Sequence, residues 1–306
     1  MLYNVINCKI CGQNFGNIQL FHSHLKSHKI LQSDYYIKYY ARKSKLTNEL
    51  LPFTSYEDYF VKDFRDKREF NLWCKKVSSD ELKSYLPKLI KQRIEKKKYE
   101  FAPPTTEIIT SVDFMPRIDT VKRVYASYME LCVINGIKIM LDDSEVVLKS
   151  KSLKIAIDTR EQKPLSFENS IEMKLDIGDY TAIGENFSNT YIDRKAVSDF
   201  VGTVTNGFNR FCKELERAKE LNSYLFIMVE STIPKIYAYN QVSPHKANLD
   251  YVFSQMNKIQ HLFPRNCQFI FCDGRENCKK TIINILSSGK ECWNKDIQNL
   301  VEKGLI

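Results

Sequence analysis

Asp179, Asp193 and Lys195 are the residues whose types and spacing point most directly to chemistry. Gly178-Asp179-Tyr180 is followed by Asp193-Arg194-Lys195, with thirteen residues between Asp179 and Asp193, and Asp199 stands four residues beyond Lys195. Residues 171–177 alternate apolar and polar, the pattern of a half-buried strand, and Gly178 breaks it, which puts Asp179 at a strand end. Residues 190–195 read as a second short strand. Side chains two apart on a strand share a face, so Asp193 and Lys195 point together and Arg194 points away. Two carboxylates meeting across neighbouring strands can hold a hard divalent cation. With an ammonium beside them to orient or activate a water, they form the arrangement of metal-assisted phosphodiester hydrolysis.

A second set of residues has the chemistry of a different metal. Cys8-x2-Cys11-x12-His24-x3-His28 is the ligand spacing of a two-cysteine, two-histidine zinc finger. Two thiolates from a hairpin knuckle and two imidazoles from one helix face complete a tetrahedral shell. Phe15 and Phe21 fall where such a finger places its core. A thirty-residue unit buries too little apolar surface to fold alone, so zinc supplies its stability. Asn17, Gln19, Leu20 and Ser23 occupy the positions that read base edges in sequence-specific fingers, with a leucine where a polar reader is expected. Positioning or a protein contact therefore suits this finger better than sequence reading.

The elements around the acids follow in a definite order. Residues 154–161 form an apolar strand ending in Asp158-Thr159-Arg160-Glu161. Residues 200–221 carry helical spacing with Phe208, Phe211, Leu215 and Ala218 on one side, and 224–229 is a buried-strand run ending at Glu230. This order, with its Gly-Asp, acid-Arg-Lys and following Asp, resembles the XPF-type nuclease domain of the PD-(D/E)xK superfamily over roughly residues 151–290. This chain departs from the family pattern at one motif position, having Asp193 where the family has Glu.

The resemblance implies an α/β fold of restriction-endonuclease type with a central mixed sheet, preceded here by a ββα zinc finger and a mainly helical basic segment. It implies a metal-dependent DNA endonuclease, structure-selective for branched, forked or flapped DNA. Asp179 and Asp193, with Asp158 as a further ligand, would hold Mg2+ or Mn2+. Lys195 would serve the water, and Arg194 and Arg210 the scissile phosphate, with Asp199 in support. Plainer readings stand beside these. Asp179 could cap a turn, Arg194 and Asp199 could form a structural bridge, Asp158 and Glu161 could be turn residues, and Arg210 a solvated helix charge. Two rival functions also stay open: an inactive DNA-binding scaffold on a nuclease fold, and a ribonuclease.

Charge indicates where nucleic acid would lie. The 306 residues carry 46 basic and 37 acidic side chains, a net +9. Residues 1–100 hold 20 basic and 11 acidic side chains and the remainder 26 of each, so the whole excess sits in the first third. It is interleaved with aromatics at 35–43 and 91–99. Lysine and arginine give salt-dependent affinity for phosphates, and tyrosines can stack on unpaired bases. Solvated helix faces around a small tyrosine core would give the same pattern.

The expected organisation is a finger to residue 30, a basic helical segment over 31–100, a helical connector and polar linker over 101–150, and the nuclease domain over 151–306. No run of eighteen apolar residues and no leader pattern is present, so no membrane partner is expected. Nine cysteines, two of them finger ligands, leave an odd seven and suggest a reducing intracellular compartment, cytoplasmic or nuclear. Cys267, Cys272, Cys278 and Cys292 are spaced too irregularly for a second metal site. Too little chain follows residue 286 for the tandem helix-hairpin-helix module of larger relatives, so DNA delivery is expected from the N-terminal third. A homodimer or protein partner is left open.

Overall fold

The computed structural model describes residues 6–43, 49–61, 64, 67–110, 114–142, 144, 146, 153–244 and 246–306. The chain forms two compact units, 1–78 and 79–306. No helix among the described residues is long and apolar enough to cross a membrane.

The first unit begins with a small hairpin, β1 (Ile6–Asn7) against β2 (Asn14–Phe15), followed by helix α1 (Ile18–Leu25). Gly12 turns the knuckle with φ +78°, a backbone conformation that costs glycine little. Three helices follow: α2 (Gln32–Tyr39), α3 (Tyr56–Val61) and α4 (Lys67–Lys76). This hairpin and helix do not stand alone. Phe21 and Leu25 pack with Tyr35, Tyr36 and Tyr59 into one buried cluster that includes Cys8. The Lys9 amide donates to the Tyr35 hydroxyl at 2.8 Å, and Tyr36 stacks on Phe53 with ring centroids 4.6 Å apart. Tyr35 and Tyr36, read from sequence as residues that could stack on bases, are core residues because the hairpin and α1 lack apolar volume of their own.

The second unit opens with helices α5 (Ser79–Lys97), α6 (Thr105–Thr110), α7 (Ile118–Lys122) and α8 (Tyr128–Ile134). It continues through β3 (Lys154–Asp158), β4 (Ser170–Met173), β5 (Tyr180–Ile183) and β6 (Thr190–Lys195). Helices α9 (Val197–Val204) and α10 (Phe208–Glu220) lead to β7 (Tyr224–Val229). Helices α11 (Ile233–Val242) and α12 (Leu249–Leu262), strand β8 (Cys267–Phe271), α13 (Gly274–Ser288) and α14 (Ile297–Glu302) complete it.

The six strands form one mixed sheet in the order β4-β3-β5-β6-β7-β8. β5 pairs antiparallel with both β3 and β6, whereas β6, β7 and β8 run parallel. Every residue of β7 is buried, and its side chains alternate between two cores. Leu225, Ile227 and Val229 face the cluster with Phe200, Phe211, Leu215, Phe253 and Met256. Tyr224, Phe226 and Met228 face the cluster with Cys278, Ile282, Ile285 and Leu300. Helices on both faces explain why this strand is an unbroken apolar run rather than an alternating one.

The unit boundary at 78/79 differs from the boundaries near 30, 100 and 150 suggested by composition. Residues 101–142 are tied to the sheet's helices by long-range polar contacts. Thr106 hydrogen-bonds Gln260, the Thr105 amide donates to Asp296, and Asp142 pairs with Lys295 at 2.8 Å. The Glu107 carboxylate is fully buried and is held by Arg93 at 2.7 Å and His261 at 2.6 Å. Tyr99 also donates to Glu107 and stacks on His261. Arg93 and Tyr99, part of the basic-aromatic run at 91–99, thus serve this ion cluster. Most of the polar joint read at 141–152 lies outside the described residues.

All nine cysteines are free thiols. Cys8, Cys74, Cys132, Cys267, Cys272, Cys278 and Cys292 are buried, Cys212 is half-buried and Cys11 is exposed.

Candidate active site and candidate metal centres

Asp179 reaches the sheet through Gly178. The strand expected over 171–177 ends at Met173, and Asp179 instead lies immediately before β5. Gly178 has φ +65°, and a Cβ there would meet the Ile192 carbonyl oxygen at 2.7 Å. Only a residue without a side chain fits this approach of backbone to backbone. The next amide, of Asp179, then donates to Ile192 O at 2.7 Å. The Asp179 carboxylate accepts from the Arg194 amide at 2.7 Å.

Asp193 and Lys195 share one face of β6, and Lys195 Nζ lies 2.7 Å from Asp193 Oδ1. The Asp193 side chain is only 4% exposed. Its second oxygen, Oδ2, is buried with no hydrogen-bond partner. Burial and the nearby Asp193 charge push the Asp179 carboxyl up to about 8. Burial lowers the Lys195 ammonium, but Asp193, Asp179 and Glu214 outweigh it and hold it above the usual lysine range. Crowded carboxylates and an unpartnered buried oxygen suit a hard cation with oxygen ligands.

Arg194 points to the other face, as strand geometry requires. Its guanidinium lies 2.9 Å from both Glu161 and Glu230 and donates to Lys163 O. Burial lowers the Arg194 pKa, but Glu161 and Glu230 outweigh it and raise it, so the group stays charged. Arg275 bridges Glu230 and the Lys163 and Pro164 carbonyls. The partners of Arg194 are thus Glu161 and Glu230 rather than Asp199, and together they fasten the 161–164 turn beside the site. Asp158 is buried, and its oxygens accept from the Arg160 guanidinium and from the amides of Arg160 and Leu175. Burial pushes its carboxyl up, but these donors outweigh it and hold it below the usual range.

Beyond Lys195 opens a cleft lined by Ser198, Asp199, Gly202, Thr203, Asn206, Gly207 and Arg210. Asp199 sits in the first turn of α9 and Arg210 in the first turn of α10. The long helix expected over 200–221 is broken in two at Thr205–Gly207, where the Gly207 amide donates to Gly202 O. This break turns Arg210 toward the cleft that begins at Lys195. Glu214, one turn further along α10, was not singled out by spacing. It is half-buried, and burial and the Asp193 charge raise its carboxyl while Lys195 and Arg217 lower it.

In the first unit, Cys8, Cys11, His24 and His28 bring one ligand atom each to within 4.8 Å of one another, the one group of three or more such residues among the described residues to do so. Cys8 Sγ is 3.6 Å from His28 Nε2, and Cys11 Sγ is 3.2 Å from His24 Nε2. Two sulfurs and two imidazole nitrogens converging this closely fit a tetrahedral zinc site. Asn17 caps α1, accepting from the Gln19 and Leu20 amides, and Leu20 is 64% exposed.

No family model matches the chain, and no curated protein matches it. Among solved structures it is similar to XPF from Aeropyrum pernix, at 19% identity and a TM-score of 0.32, over 44% of this chain and 63% of that one. Against XPF from Aeropyrum pernix in complex with DNA the values are 19%, 0.33, 44% and 64%. The chain thus spans just under two thirds of the length of each, and both likenesses are distant.

Proposed function

We propose that this protein is a divalent-metal-dependent DNA endonuclease that acts on branched, forked or flapped DNA. The observation that carries the proposal is Asp193, buried with Oδ2 unpartnered, beside Asp179 and 2.7 Å from the Lys195 ammonium. Asp179 and Asp193 would hold Mg2+ or Mn2+. A cation held there supplies a Lewis acid for a phosphoryl oxygen and lowers the pKa of bound water. Lys195 orients the attacking water. Arg210 faces the phosphate in the cleft, and Asp199 orders the same cleft from α9. Arg194 braces the 161–164 turn through Glu161 and Glu230, and Asp158 holds the chain at Arg160 and Leu175. Water adds to phosphorus in line with the departing oxygen. The P–O3′ bond breaks, the proton passes to that oxygen, and a 5′-phosphate and 3′-hydroxyl result.

The basic excess of residues 1–100 would supply affinity for the DNA backbone. The finger would bind one zinc through Cys8, Cys11, His24 and His28 and serve to position the protein, since Asn17 is occupied as a helix cap. Nine unpaired cysteines suit a reducing intracellular compartment.

Cleavage of a forked duplex with Mg2+ or Mn2+ tests the reading. Asp179→Asn and Lys195→Ala should each lower the rate by about a thousandfold or more, because groups that act in one transition state fail together. DNA binding should survive both. Full activity in either variant would place the site elsewhere. A wild type that cuts neither DNA nor RNA would favour a scaffold, and one that cuts RNA alone a ribonuclease.

A further inference from the structure

Arg275 belongs to no motif and lies far beyond Lys195 in the chain, yet it meets the frame of the site. Gly274, with φ +79°, turns the chain after β8 and puts Arg275 in the first turn of α13. Its guanidinium uses two acceptors that Arg194 also uses. Glu230 Oε1 receives Arg194 at 2.9 Å and Arg275 at 3.1 Å. Lys163 O receives Arg194 at 3.1 Å and Arg275 at 2.9 Å. Arg275 also reaches Pro164 O at 3.1 Å.

Those acceptors connect to the acids by further hydrogen bonds. The Glu230 amide donates to Lys195 O at 3.0 Å, and the Arg194 amide donates to the Asp179 carboxylate at 2.7 Å. Glu161, which holds Arg194 at 2.9 Å, is tied through its own amide to Asp158 O at 3.0 Å. The Arg194 side chain is enclosed, whereas that of Arg275 is 42% exposed. Arg275 therefore closes this cluster from the solvent side.

We propose that Arg275 is a positioning residue of the cleavage site. It fixes Glu230 and the carbonyls of residues 163 and 164, these fix the Arg194 guanidinium, and the Arg194 backbone then presents its amide to Asp179. A guanidinium spans a carboxylate and two carbonyls from two nitrogens in one plane, where an ammonium offers a single nitrogen. Both terminal nitrogens of Arg275 are engaged within the protein, and the cleft that begins at Lys195 is lined by other residues. It thus acts through Arg194 and not on a phosphate. The inference rests on the nuclease reading and adds to it a residue that no motif marks.

Two measurements on the full-length, zinc-loaded protein test it. One is the single-turnover cleavage rate of a forked duplex at saturating protein, well below the melting temperature of each variant. The other is Mn2+ binding without DNA, followed by the paramagnetic resonance of the free ion. Arg275→Gln should lower the rate and weaken Mn2+ binding about tenfold each, the scale of losing a partner that orients a ligand. Its affinity for DNA should stay within about twofold of wild type, since no phosphate contact is removed. Arg275→Lys should fall between, and Lys280→Gln, which removes the same charge from an exposed position of α13, should match wild type. If Asp179→Asn lowers both quantities and Arg275→Gln leaves either at its wild-type value, the inference falls and the nuclease reading stands. It also falls if Arg275→Gln weakens DNA binding with the single-turnover rate intact, or if Lys280→Gln loses as much. If Asp179→Asn cuts and binds Mn2+ as wild type does, both fall.

Discussion

Lys195 Nζ sits 2.7 Å from Asp193 Oδ1, two residues away on the same strand face, and leaves Oδ2 of that carboxylate buried without a partner. Removing one member of a buried pair costs more than the pair contributes, because the other charge is stranded. Lys195→Met should therefore lower stability by about 3 kcal/mol in buffer without divalent cations. Lys195→Met combined with Asp193→Asn should recover most of that loss, as coupled neighbours do. Urea unfolding of the two single variants and the double variant measures the coupling. Additive effects would mean that the two side chains do not interact.

Gly178 carries the approach of Asp179 to β6. A Cβ at this position would lie 2.7 Å from Ile192 O, on a backbone with φ +65°. Gly178→Ala must push the two strands apart or strain the turn, at a cost of about 1–3 kcal/mol. Because the displaced residue adjoins Asp179, nuclease activity should fall further than the melting temperature alone would explain. A stable Gly178→Ala protein with full cleavage would show that Asp179 tolerates displacement.

The finger predicts both metal content and a local stability effect. Purified protein should contain about one zinc per chain by elemental analysis, and chelation should unfold residues 1–78. Tyr35→Phe should leave the zinc in place yet destabilise the unit by about 1–2 kcal/mol, since the Lys9 amide loses the 2.8 Å acceptor beside the knuckle. Zinc-free protein with an intact first unit would contradict the ligand assignment.

The Glu107 cluster sets a pH dependence. Burial alone would raise the Glu107 carboxyl, but the His261 hydrogen bond and the Arg93 charge outweigh it, so its folded pKa lies below 4.5. An acid depressed in the folded state adds stability that is complete above its unfolded pKa and is lost as pH falls through the folded one. Unfolding free energy should therefore hold down to about pH 5 and drop below pH 4.5. Glu107→Gln should flatten that acid limb and cost stability at pH 7. An acid limb of unchanged slope in the variant would assign the effect to other groups.

Much of the site was legible because its signals are local. A two-residue strand period puts Asp193 and Lys195 together and Arg194 opposite, and the structure has them so. The finger ligands need only a hairpin and one helix. What escaped depends on distant partners. Arg93 and Tyr99 read as DNA-facing residues until His261, more than 150 residues away, closes the Glu107 cluster. The alternation over 171–177 predicts Asp179 at a strand end, but it outlasts the actual strand, which stops at Met173 while Leu175 and Ile177 stay buried in the following turn. Glu214 looks like one more solvated charge in Lys213-Glu214-Leu215-Glu216-Arg217. Its place between Phe211 and Leu215 was the available sign that it borders the buried face.

The distribution of thiols makes the protein addressable by chemistry. Outside the Cys8/Cys11/His24/His28 cluster, six cysteines are enclosed and Cys212 is the sulfur with partial access to solvent. It lies two residues before Glu214 on the same helix. A maleimide dye or spin label would attach there without any engineered cysteine, and its signal would report directly on the helix that borders the acids.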